Sequence, residues 1–275
     1  MSTARINGVE LYWELAGEAG EPVVFVHGSW TDHRAWDRVV PLLSPFFRVL
    51  TYDRRGHSRS ERIAGQGSIR DDVADLVGLV EHLHLAPVNV AATSFGAAIA
   101  LRTAAERQDL FRRLLVHEPP LFDLLDGDDE ARPALAAARE RMEAAAELLA
   151  AGQMEAGTRQ FVETIAVGPG GWDRIPGEMR ETFVFNSLTW LDETRDPEAM
   201  KLDLGRLRDF GPILITAGAN SPSFFRLVVE AVARALPQSD VRIFAGAGHV
   251  PHLSHTAEYV EAATAFFTGP GAEAV

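Results

Sequence analysis

The chain has no cysteine, which removes disulfides, thiolate nucleophiles and cysteine-ligated metal centres from consideration. No apolar run comes near the ~18 residues that a membrane-spanning helix needs. Met1–Gly8 lacks a basic start followed by an apolar stretch, so no signal peptide is expected. Positive charge is in deficit. The 26 Lys and Arg against 39 Asp and Glu give a net charge of −13 at pH 7, which argues against nucleic acid and against anionic membrane surfaces as partners. The expectation is a soluble, cytoplasmic protein. Its 275 residues suit one α/β domain with an insertion, or two small domains. An apolar content of 47% suffices for a buried core.

What is present is a strand–helix rhythm. Asn7-Gly8 between Ala4–Ile6 and Val9–Leu15 reads as a tight hairpin. Pro22–His27, Arg48–Asp53, Val88–Thr93 and Leu114–His117 are short apolar runs, as expected of strands covered on both faces. His33–Leu43 looks helical. Ser68–His84 carries apolar residues at helical spacing, and Phe95–Arg107 follows as another helix. From Pro119 to about Arg208 the strands stop. Arg132–Ala151, Gln153–Val167 and Gly177–Leu191 read as helices, the first rich in strong helix formers. A stretch this long cannot be one structureless loop. The rhythm returns with Pro212–Ala217, Ser223–Leu236, Asp240–Phe244 and Thr256–Phe267. The fold class expected is α/β: a mostly parallel sheet formed by residues 1–118 and 209–275, with a helical cap inserted over 119–208.

Ser94 is the most informative residue. It lies in Ala92-Thr93-Ser94-Phe95-Gly96, between an apolar strand and a helix. Small residues two before and two after let the backbone make the sharp turn that lifts a serine hydroxyl off a sheet. A serine hydroxyl needs a base, and histidine is the usual one. His249 follows a strand through the turn Ala245-Gly246-Ala247-Gly248, late in the chain, with His252 and His255 as rivals. A metal site made of those three histidines lacks further ligand spacing, so no metal is expected. The oxyanion donors expected are the amides of Phe95 and of Ser29, the latter in His27-Gly28-Ser29-Trp30 after the first buried strand. His27 and the Asp53–Ser60 turn read as structural, the turn with an internal Asp–Arg pair.

The acid is missing from its usual place. The turn after Pro212–Ala217 reads Gly218-Ala219-Asn220-Ser221, with no carboxylate. Glu118, at the end of the strand next to that of Ser94, is the replacement this reading favours. Asp123 and Asp126 are alternatives. Asn220 could orient the histidine without supplying charge.

Together His27-Gly28, the Asp53–Ser60 turn, the Ser94 elbow and Gly248-His249 resemble the α/β-hydrolase superfamily in type and order. The resemblance implies acyl transfer through a serine ester, with no cofactor. The Ser94-to-Glu118 spacing of 24 is similar to that in members, including haloalkane dehalogenases, whose acid follows the strand after the nucleophile strand. Ser94 in place of Asp argues against dehalogenase and epoxide hydrolase chemistry. A narrower likeness is to the fungal zearalenone lactonases. It rests on His117–Pro120, on Gly218-Ala219 with Pro222–Phe225, on His249, Pro251, Ser254 and His255, and on Trp190 as a cap tryptophan.

The function expected is a serine hydrolase of a carboxylic ester or lactone. The triad would be Ser94, His249 and Glu118, and Trp30 and Trp190 would touch the small-molecule substrate. Trp172, Phe183, Phe185 and Leu188 are further candidates for an apolar pocket. A C–C bond hydrolase of β-dicarbonyl or ring-fission products is a second reading. A catalytically silent ligand-binding protein is a third.

Overall fold

Asn7 and Gly8 both adopt positive φ, 45° and 83°, the conformation that a two-residue hairpin requires. They join β1 (Ser2–Ile6) to β2 (Val9–Ala16). This is the opening of a computed structural model that describes residues 2–63 and 68–269. The other strands are β3 (Pro22–Val26), β4 (Arg48–Tyr52), β5 (Val88–Thr93), β6 (Phe111–His117), β7 (Ile213–Gly218) and β8 (Asp240–Phe244). They form one sheet in the order β1-β2-β4-β3-β5-β6-β7-β8. β2 runs antiparallel to β1 and β4, and every pairing from β4 onward is parallel. The sequence motifs locate these strands to within a few residues.

The parallel strands are apolar because helices cover both faces. Every residue of β3, β5 and β7 is buried, as expected when crossovers lie on both sides. The helices are α1 (Val40–Leu43), α2 (Ile69–His82), α3 (Phe95–Glu106), α4 (Arg132–Ala150), α5 (Met154–Phe161), α6 (Gly171–Arg174), α7 (Gly177–Arg195), α8 (Ser223–Ala235), α9 (Pro251–Ser254) and α10 (Thr256–Phe267). Leu76, Leu79, Ile99, Leu101, Val228 and Val232 bring α2, α3 and α8 onto one core. Leu43, Tyr259, Ala263 and Phe267 bring α1 and α10 onto the other, with Phe25 and Trp36. His33–Leu43 is not one helix: a 3-10 turn over His33–Trp36, capped by the Asp32 carboxylate, precedes α1.

Helices α4 to α7 all lie between β6 and β7, and no strand occurs there among the described residues. This insertion sits on the carboxyl edge of the sheet. The Asn186 amide nitrogen of α7 donates to the carbonyls of Trp30 (3.1 Å) and Thr31 (3.0 Å). Its oxygen accepts from the Ser58 amide at 2.9 Å. Trp30, Trp190, Leu191, Ala145 and Leu149 form a separate apolar cluster at this junction.

Candidate active site

Ser94 has φ 53° and ψ −125°, a region that costs a non-glycine residue roughly 1–3 kcal/mol. It joins β5 directly to α3. A Cβ built on Gly96 would lie 2.5 Å from the carbonyl oxygens of both Val26 and His27. Only glycine fits two residues after the serine, because α3 begins against the end of β3. Ala92, where the family motif often has glycine, is fully buried and in register with Val26 and Val116. A Cβ on Gly28 would come within 3.0 Å of the Ser94 Cβ, so the loop after β3 lies against the elbow. That contact brings the Ser29 loop beside Phe95, whose amide opens α3 where helix N–H groups have no intrahelical acceptor.

Glu118 follows β6 with φ 45° and is fully buried. Its Oε2 accepts from His249 Nδ1 at 2.5 Å, and its Oε1 accepts from the Gly218 amide at 2.8 Å. Gly218 cannot carry a side chain, since a Cβ there would sit 2.4 Å from the Gly248 carbonyl oxygen. The end of β7 is therefore pressed against the turn that bears His249. Burial pushes the Glu118 carboxyl up. The charge of His117 and the hydrogen bond from His249 outweigh it and hold the group down to about 2. His117 itself is held down to about 4 by burial, so at neutral pH the His249 and Gly218 donors carry that stabilisation. Ser221 occupies the position where the acid was missing.

The acid expected from sequence and the histidine thus meet in space, on the same carboxyl edge of the sheet as Ser94. The rivals lie elsewhere. Asp126 pairs with Arg139 at 2.9 Å, and Asp123 lies 3.8 Å from the same arginine. His252 is buried against the Trp36 ring at 4.7 Å, and His255 Nδ1 lies 2.9 Å from the Ser254 hydroxyl. Asn220 donates to the Gly246 carbonyl at 3.0 Å and so braces the histidine turn. His27 is structural, its Nε2 accepting from the Arg54 amide at 3.0 Å. The internal Asp–Arg pair expected around Asp53 does not form. Asp53 instead accepts from His33 through both amide (2.8 Å) and Nδ1 (2.6 Å), and from the Arg59 amide (3.0 Å). The guanidinium of Arg54 turns to Asp72 and Glu193, and that of Arg55 to Asp75. Carboxylates of α2 and α7, distant in sequence, outcompete the local one.

Ser94, Ser29 and Phe95 line one small, partly enclosed cavity. Trp190, Phe161 and Phe122 supply apolar wall. Trp30 lies behind Trp190, with ring centroids 4.9 Å apart, and braces that wall. Of the other aromatic candidates, Trp172 is buried within the insertion and Phe185 is exposed. Phe225, the end of the Pro222–Phe225 likeness, stacks on the His249 ring at 4.2 Å and 14°. Glu193, near the end of α7, is buried in the cavity wall, and no local pattern in the sequence marks it.

Residues 23–262 match the model of the alpha/beta hydrolase family. The chain belongs to the alpha/beta hydrolase family. Solved structures agree on the fold. The enol-lactonase from Burkholderia xenovorans superposes with a TM-score of 0.79 at 22% identity, covering 98% of this hydrolase and 100% of that chain. Among curated relatives, (E)-2-((N-methylformamido)methylene)succinate hydrolase of Acinetobacter baylyi is 32% identical over 35% of this chain and 37% of its own. The 2-hydroxy-6-oxo-2,4-heptadienoate hydrolase of Pseudomonas putida is 36% identical over 45% and 46%. These matches span less than half of each relative's length. No helix among the described residues is long and apolar enough to cross a membrane.

Proposed function

We propose that this alpha/beta hydrolase cleaves a carboxylic ester or lactone through a covalent intermediate on Ser94. The observation that carries the reading is the buried Glu118–His249 pair at 2.5 Å, set on the same sheet edge as the strained Ser94 elbow. Glu118 fixes the tautomer in which Nδ1 of His249 carries a proton, which leaves Nε2 free to accept one. His249 takes the Ser94 proton as the hydroxyl oxygen attacks the carbonyl carbon. Negative charge gathers on the carbonyl oxygen and is met by the Ser29 and Phe95 amides, each such donor worth about 3 kcal/mol. His249 then protonates the leaving alkoxide as the ester C–O bond breaks. Water, deprotonated by the same histidine, attacks the acyl-enzyme and returns Ser94 to its resting form. In a lactone the alcohol stays tethered, and the single product is a ring-opened hydroxy acid. Trp190 supports the reading of an apolar substrate, and the zearalenone-type macrolide lactone remains the specific candidate within it.

A second reading is hydrolysis of a C–C bond in a β-dicarbonyl or ring-fission product, favoured by the likeness to the heptadienoate hydrolase. The two readings part in one assay. Zearalenone, a 4-nitrophenyl ester and a vinylogous β-diketone are each incubated with the protein and with Ser94→Ala, and ring opening, nitrophenol release and loss of the diketone are followed. Turnover lost in Ser94→Ala supports an ester or lactone hydrolase. Turnover of a vinylogous β-diketone alone supports the C–C reading.

A further inference from the structure

The cavity beside Ser94 is lined mainly by apolar side chains, and among its described lining residues no cation appears. Its one charged residue is Glu193, from α7. The side chain is only 6% exposed. Its Oε2 accepts from the Ser29 hydroxyl, and its Oε1 accepts from Arg54 Nη2. Arg54 reaches it from the loop after β4, lies 4.9 Å over the Phe95 ring, and is shared with Asp72 of α2 at 3.2 Å. Asp192 is the other carboxylate near it, on its own helix. Two buried carboxylates therefore compete for one guanidinium, and the pair leaves negative charge unbalanced at the cavity wall.

We propose that Glu193 is a specificity-determining residue whose carboxylate restricts the Ser94 cavity to neutral esters or lactones and rejects substrates that bring a carboxylate of their own. The proposal rests on the ester or lactone reading. Two like charges confined in one apolar-walled cavity repel more strongly than they would in bulk solvent. Ser29 couples this residue to the expected oxyanion loop, so its charge acts where substrate carbonyls must sit. Burial, followed by the charges of Asp72 and Asp192, pushes the carboxyl up to about 7, against the opposing pull of Arg54 and Ser29. The rejection is thus strongest above pH 7 and relaxes below it.

The test compares 4-nitrophenyl hexanoate with mono-4-nitrophenyl adipate, whose free carboxylate stays ionised at both pH values. The wild-type ratio of kcat/KM, neutral over anionic, is expected to be at least about fivefold larger at pH 8.5 than at pH 6. Taking a ratio cancels any pH dependence common to the two substrates. Glu193→Gln keeps acceptors for Ser29 and Arg54 and is expected to flatten the pH dependence and raise adipate turnover at least about tenfold. A wild-type ratio that does not change with pH, or a Gln variant with wild-type discrimination, overturns the proposal. Binding of the two compounds to Ser94→Ala by calorimetry reads the same preference without turnover. Preference for the neutral compound there, with no hydrolysis by the wild type, would defeat the ester reading and leave Glu193 as the charge filter of a binding cavity. Equal binding would defeat the filter.

Discussion

Replacing Glu118 with Gln keeps the shape but removes the charge and one of two acceptors. The single amide oxygen can accept from the Gly218 amide or from His249 Nδ1, not from both, so the His249 tautomer is no longer fixed. What disappears is the attraction between a buried carboxylate and the imidazolium that forms when His249 takes the Ser94 proton. With charge centres about 4 Å apart and an effective dielectric of about 20, that attraction is about 4 kcal/mol. Each 1.36 kcal/mol on a barrier is about tenfold in rate, so kcat should fall about a thousandfold. The carboxylate is fully buried, so bulk water cannot take its place. Glu118 does not line the cavity, so KM should stay within about threefold. The assay is steady-state hydrolysis of 4-nitrophenyl hexanoate at pH 8, with circular dichroism confirming the fold. A loss of less than tenfold, or a loss confined to KM, would refute the reasoning that Glu118 supplies the acid.

Other outcomes follow from the same contacts. Phe225→Ala removes the ring stacked on His249 and should destabilise the fold by about 3–5 kcal/mol in urea melts, because Phe225 is itself buried. Gly96→Ala should abolish activity or soluble expression, since its Cβ would meet two carbonyl oxygens at 2.5 Å; normal activity would show that the elbow can shift. Stability should fall as pH drops from about 6.5 to about 3. His27 and His117 are held down to about 4 by burial, and His252 to about 3. Glu118 is held down to about 2. In that window the unfolded chain binds more protons at all four groups, which lowers stability with falling pH. Glu193 works the other way between about 4.5 and 7 and offsets part of this loss. Urea midpoints that are flat from pH 7 to pH 4 would contradict these assignments.

The fold was legible in the sequence because buried parallel strands must be apolar throughout and helices must not be. The strand Val88–Thr93 and the helix after it enforce the Ser94 elbow locally, and Gly96 shows why with one steric contact. Glu118 could be found only by noticing that Gly218–Ser221 lacked an acid and that a neighbouring strand ended in one. Its geometry needed the structure, since 131 residues separate it from His249. Asp53 is structural, as its turn predicts, but does not pair with the arginines beside it, because α2 and α7 present better-placed carboxylates to Arg54 and Arg55. The placement of Glu193, and the contact of Phe225 with His249, are hidden from the sequence for the same reason. Their partners are set by the packing of the insertion and of α8, and no short motif encodes that.

The central claim is that Ser94 is a nucleophile activated by His249 and Glu118. Intact-mass measurement after treatment with an organophosphate ester tests it most directly. One adduct is expected, mapped to Ser94 by peptide analysis, absent in Ser94→Ala and slowed about a thousandfold in Glu118→Gln. No adduct, or an adduct on another residue, would contradict the claim.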